Sequence, residues 1–284
     1  MIYRFIILCA ILIFSFSIPA HAEVQAIEHL LISGKLNLDI SSLGSHRENC
    51  IRVIATNLSN EALFTRIEPG RILVSNDINV QDIIVTQEMI IALAPKDEVT
   101  KQAFGFCCQN QNSGPSEGTN FKLGKMSSYG LLDIAKYLNK HRELNGDVQQ
   151  HAIWVMSDCS PISSISQYDE ESQELVRMIS DNLGVKAPWY ITEHRLSADQ
   201  LFSKKVDRIR GKMDFKVSEY DKIKVIVMDQ NNRVIKIILS PTVYGPGNYQ
   251  LPLDLFVNFW ESGDYNVVFQ GEKGDVIGSY DFTI

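Results

Sequence analysis

The sequence predicts a mainly β protein with a helical subdomain: an antiparallel β-sandwich carrying three helices, followed by a second, C-terminal β-sandwich. Three observations predict it. Short β-branched runs separated by turn residues fill the chain up to Cys108, the apolar period lengthens to that of a helix between about 126 and 183, and period-two alternation returns after Met213. The 284 residues are 45% hydrophobic and 21% charged, which excludes collagen-like, disordered and polytopic membrane classes.

Taken in order, the chain opens with one charge at Arg4, an apolar run from Phe5 to Phe14, and the exit Ala20-His21-Ala22. A charged start, a short apolar centre and an Ala-x-Ala end predict a secretory signal over 1–22, cleaved before Glu23. Ser15, Ser17 and Pro19 interrupt the run before it reaches the roughly 20 apolar residues of a membrane span. No later stretch is long enough either, so the mature chain is expected to lack a transmembrane span and to be secreted or periplasmic. Cleavage removes Arg4 and no acid, moving the formal charge from −7 to −8. That balance leaves no basic field for a phosphate backbone, so nucleic acid is not an expected partner.

From 23 to 184 the sequence reads as the β-sandwich with its helical subdomain. Cys50-Ile51-Arg52-Val53-Ile54-Ala55-Thr56 ends at the turn Asn57-Leu58-Ser59-Asn60, and Leu63–Ile67 ends at Pro69-Gly70. Further short runs follow at Ile72–Val74, Ile83–Thr86 and Met89–Leu93. Gln109 to Gly124 reads as loop, and Tyr129, Leu132, Ala135 and Leu138 then form a helical stripe. Helices are predicted over about 126–143, 148–157 and 169–183. The last starts on Asp169-Glu170-Glu171, acids suited to a helix N-terminus, and stops at Gly184. Residues 185–211 read as a connector. From 212 to 284, alternating strands at Ile223–Val227, Val234–Ile238, Tyr265–Phe269 and Val276–Phe282 are joined by the hairpin turns Asp229-Gln230-Asn231-Asn232 and Gln270 to Asp275.

Of five cysteines, Cys9 leaves with the signal and Cys50, Cys107, Cys108 and Cys159 remain. An even number in an oxidising compartment predicts disulfides. A bond between neighbouring Cys107 and Cys108 needs a strained ring, so each is expected to reach a distant partner, Cys50 for one and Cys159 for the other.

Two resemblances add to this reading. The entry Gly263-Asp264-Tyr265 and the closing strand Val276 to Phe282 resemble the immunoglobulin-like modules found at the C-termini of many secreted bacterial proteins. The segment Phe104-Gly105-Phe106-Cys107-Cys108-Gln109, with Val148-Gln149-Gln150-His151-Ala152-Ile153-Trp154 downstream, resembles the thioester domains of Gram-positive surface adhesins. In that family a cysteine thiolate displaces ammonia from a glutamine carboxamide, leaving a buried acyl thioester for an amine or hydroxyl on a host surface. The resemblance implies Cys107 as nucleophile and Gln150 as acyl donor, with Gln149 in its place if the register is shifted by one. A second cysteine at 108 departs from the family pattern.

Other signatures are absent: no nucleophile elbow, zinc helix, P-loop or dinucleotide fingerprint occurs. His29, His46, His141, His151 and His194 show no ligand spacing, so no metal and no cofactor is expected. Three functional readings follow. The even cysteine count favours a disulfide-stapled, non-catalytic surface-interaction or adhesion protein that binds a protein or cell-surface ligand, with Tyr244-Gly245-Pro246-Gly247-Asn248-Tyr249 as a loop that could bear its binding face. The second reading makes Cys107 and Gln150 a covalent site on the same fold. The third is a secreted hydrolase without a recognisable motif.

Overall fold

The computed structural model describes residues 23–167, 169–195 and 203–284; the expected signal over 1–22 lies outside them. It is mainly β with antiparallel sheets and four α-helices. A short helix α1 (Ile27–Ile32) leads into β1 (Leu36–Ser42), β2 (Arg47–Asn57), β3 (Leu63–Ile67), β4 (Arg71–Ser75), β5 (Ile83–Val85), β6 (Met89–Leu93), β7 (Glu98–Cys107) and β8 (Asn120–Met126). Six of these strands, in the order β1-β2-β7-β5-β4-β8, close into a barrel, and β3 and β6 form a separate pair. The N-terminal sheet therefore closes on itself where an open sandwich was expected. The closing strand is β8, which pairs with both β1 and β4 although 109–124 reads as loop. Phe121 is its one buried residue, so its sequence carries almost no alternation to betray it.

Ile51, Val53, Leu73, Ile83 and Val85 fill the barrel, joined by Ile67 and Ile91 of the β3–β6 pair and by Ile27 and Leu30 of α1. Burying side chains of this size contributes roughly 1.5–3 kcal/mol each, which is why a chain with few long apolar runs can still fix the barrel.

The helical layer comprises α2 (Tyr129–Lys140), α3 (Gly146–Asp158), a 3-10 turn at Ile162–Ser164, and α4 (Glu170–Leu183). The apolar stripe of α2 runs through Leu131, Ile134, Ala135 and Leu138; Tyr129, expected on it, is exposed. Helix α4 starts at a capping box in which Asp169 accepts from the Ser172 amide at 2.7 Å, and it ends at Gly184, whose φ of +67° suits a residue without Cβ. The three helices enclose a second core with Ile84, Phe106 and Cys108 from the outer wall of the barrel.

Residues 185–211, read as a connector, contain strand β9 (Tyr190–His194) and the start of β10 (Val206–Val217). The C-terminal part continues through β11 (Asp221–Asp229), β12 (Val234–Tyr244), β13 (Gly247–Phe256), β14 (Asp264–Gln270) and β15 (Val276–Thr283). These strands make two antiparallel sheets, ordered β13-β10-β9 and β12-β11-β14-β15, around Phe215, Val225, Leu255, Val267, Phe269 and Phe282. The residues singled out as a possible binding loop form the tight link between β12 and β13, and both of their tyrosines pack on Phe215, with ring centroids 5.4 Å away in each case.

Candidate functional site

Strand β7 is buried on both faces near its end. Its pleat sends Cys107 into the barrel core, while Phe106 and Cys108 on either side enter the helical core. The run Ala103-Phe104-Gly105-Phe106-Cys107-Cys108 is therefore apolar throughout because two cores share it, as in any strand covered on both sides. Gly105 permits this crowding: a Cβ there would lie 2.6 Å from the Ile84 carbonyl oxygen on β5.

Helix α3 lies across the end of this strand and is bonded to it at successive residues. Asn145 caps the helix, accepting from the Asp147 amide at 2.8 Å. The Gln150 carboxamide then takes both polar groups of residue 107: the Cys107 amide donates to Gln150 Oε1 at 3.2 Å, and Gln150 Nε2 donates to the Cys107 carbonyl at 2.8 Å. Two helical turns on, Ser157 donates to the Cys108 carbonyl at 2.5 Å, and Asp158 accepts from the Asn110 amide at 2.8 Å. The Cys107 amide also donates to the His46 carbonyl at 3.1 Å, just beyond the paired residues Arg47 and Phe106 of β2 and β7. An ion pair between Arg47 and Asp147 ties β2 to the first turn of α3.

Both members of the pair are dry, Cys107 at 0% and Gln150 at 2% exposure. The Gln150 carboxamide pairs edge-on with the backbone of residue 107, while the Cys107 side chain packs in the barrel core with Cys50. Burial pushes the Cys107 thiol up, reinforced by the neighbouring Cys50 and Cys108 sulfurs. Next along α3, burial holds His151 neutral, with a pKa pushed down to about 4, followed in effect by the facing His194. The structure thus brings Gln150 to Cys107, whereas Gln149 turns back to donate to the Leu144 carbonyl at 2.7 Å.

The expected disulfides are not formed. Cys50, Cys107, Cys108 and Cys159 are all free. The pleat separates Cys107 from Cys108, leaving the first in the barrel with Cys50 and the second among the helices. Cys50 points its thiol at the Gly105 carbonyl, 3.6 Å away, and Cys159 is exposed at the left-handed C-cap of α3. Ser157 and Asp158, the other links from α3 to β7, went unsignalled in the sequence except by their helical phase with Gln150.

No protein-family model matches the sequence. No curated protein matches it either. Among solved structures, a β-glucosidase from Kluyveromyces marxianus is 13% identical, with a TM-score of 0.21, over 82% of this chain and 44% of that one. The chain thus spans less than half the length of that enzyme. The CBM51-2 and INT domains of ZmpB from Clostridium perfringens are 9% identical, with a TM-score of 0.18, over 89% of this chain and 93% of that one. Likeness at this level assigns neither fold nor function. Among the described residues no helix is long and apolar enough to cross a membrane.

Proposed function

We propose that the protein is a secreted or periplasmic surface-interaction protein, without catalytic turnover, whose working pair is Cys107 and Gln150 joined as an internal thioester. The observation that carries this reading is the two-point pairing of the Gln150 carboxamide with the backbone of Cys107, both residues being buried. The free state of all four cysteines removes the competing use of Cys107 as half of a disulfide. We also read the C-terminal pair of sheets as an Ig-like module that displays the N-terminal part.

The chemistry balances without a further reactant. The Cys107 sulfur adds to the Gln150 carbonyl carbon, an S–C bond forms as the C–N bond breaks, and the thiol proton leaves with ammonia. Burial keeps the sulfur protonated, so formation is slow relative to attack by an exposed thiolate, and the same burial keeps water from the acyl product. An amine from a partner then attacks the acyl carbon, forms an amide with Gln150 and returns the Cys107 thiol.

The test is amine incorporation. After the mature chain is incubated with methylamine and digested, the peptide carrying Gln150 is expected to contain the N-methylamide, and Cys107→Ala is expected to abolish it. Unmodified Gln150 in the wild type, or equal modification in Cys107→Ala, rejects the reading.

A further inference from the structure

The segment Val257 to Gly263, between β13 and β14, holds a large aromatic side chain in water for which the fold gives no reason. Phe259 is 90% exposed on a segment that is otherwise pinned. The Trp260 amide donates to the Val257 carbonyl at 2.9 Å, and Gly263 exchanges hydrogen bonds with Ile284 at 2.9 and 3.1 Å. Tyr265 donates from its hydroxyl to the Glu261 carbonyl at 2.7 Å. Trp260 leans on Tyr265, with centroids 5.1 Å apart, and Tyr265 stacks on the core residue Phe282. Phe259 is not a lone exposed ring, since Trp260 beside it lines the same concave surface.

Phe259 and Trp260 form one side of a cleft of about 400 Å³, within the usual range of small-ligand sites. The turn between β11 and β12 forms the other side. There Asp229 accepts from Arg233 Nε at 2.7 Å, which fixes the guanidinium while its side chain stays 68% exposed. Gln230 lines this cleft and also an adjoining depression of about 300 Å³, so the two run together over the end of the module.

The lining discriminates among ligand classes. A wholly apolar ligand would strip water from Arg233 and Gln230 and return nothing. An anion would meet Asp229, Glu261 and Asp264, which outnumber the single cation Arg233. A neutral pyranose has an apolar C–H face for an aromatic ring and a rim of hydroxyls for planar amide, carboxylate and guanidinium groups. We infer that this cleft of the C-terminal module binds a neutral saccharide, with its ring on Phe259 and Trp260 and its hydroxyls toward Arg233 and Gln230. The site is remote in sequence from Cys107 and Gln150 and is independent of the covalent reading.

The experiment uses the mature chain carrying Cys107→Ala, so that covalent attachment cannot contribute, on an array of neutral, sialylated and sulfated oligosaccharides, followed by titration with the best neutral binder. Binding confined to neutral glycans is expected, with Phe259→Ala weakening it about tenfold or more, as expected for an aromatic contact residue, at an unchanged thermal midpoint. Because Phe259 is exposed, its loss does not threaten folding; Arg233→Gln is a second variant expected to weaken binding, with a lower thermal midpoint because it also removes the ion pair to Asp229. No binding at millimolar concentration, binding only to charged glycans, or full binding by Phe259→Ala overturns the inference.

Discussion

At the residue scale the account turns on where four sulfurs sit. Cys50, Cys107 and Cys108 are buried and Cys159 is exposed, so a thiol reagent is expected to label Cys159 alone in the native protein. Peptide mapping before and after denaturation checks this, and native labelling of Cys107 would contradict the packing. The side-chain chemistry was partly legible in the sequence. The pair was implied by the resemblance that Gln150, Ala152, Ile153 and Trp154 carry, but the choice between Gln149 and Gln150 rests on helix phase, set by the Asn145 cap. The disulfide expectation failed because an even count says nothing about facing: Cys50 shares the barrel core with Cys107 but turns its thiol to the Gly105 carbonyl, and Cys159 is exposed at the end of α3 while Cys108 is buried. His151 adds a pH signature. Its pKa is pushed from 6.5 to about 4 by burial first, so the unfolded chain binds the proton more readily within that window, and stability present above pH 6.5 is lost as pH falls toward 4. The loss is on the order of 3 kcal/mol at 1.4 kcal/mol per pH unit. Burial also lowers His46 and His194, adding in the same direction. Thermal melts from pH 7 to 4 are expected to show the decline, with His151→Asn flattening it; a level midpoint would contradict it.

At the element scale β7 organises the N-terminal part, since it is paired with β2 and β5 and covered by α3. Gly105→Ala is expected to destabilise by about 1–3 kcal/mol, the usual cost of overpacking, because the new methyl would meet the Ile84 carbonyl and the Ile83 side chain at 2.6 and 2.7 Å. A lower urea midpoint with an unchanged slope checks it, and a wild-type midpoint would mean that β5 is looser than the structure shows. Elements with strong local signals were legible: the Asp169 cap, the Gly184 stop, and the strands ending at Asn57 and Ile67. Strand β8 was not, because it is fixed by hydrogen bonds to β1 and β4 rather than by an apolar face, and barrel closure was hidden with it. The connector hid β9 and the start of β10 for a related reason. Thr192 is the only fully buried position of β9, so that strand also lacks alternation.

At the scale of the whole molecule, a barrel with a helical layer precedes a two-sheet module that carries an aromatic cleft. The proposal assigns covalent capture to the first and saccharide contact to the second, a division that suits a chain displayed outside the cytoplasm. If residues 1–22 direct export, the exported protein begins at Glu23, which N-terminal sequencing of periplasmic and medium fractions reads directly; a mature chain that retains Met1 would contradict it. The central claim, that Cys107 and Gln150 are joined, is tested most directly by the intact mass of the mature protein without reductant. The account predicts a deficit of one ammonia, converted by methylamine into a gain of one CH2 over the unmodified chain, and absent from Cys107→Ala. A mass equal to that of the unmodified chain, or one lower only by the hydrogens of disulfide formation, would contradict it.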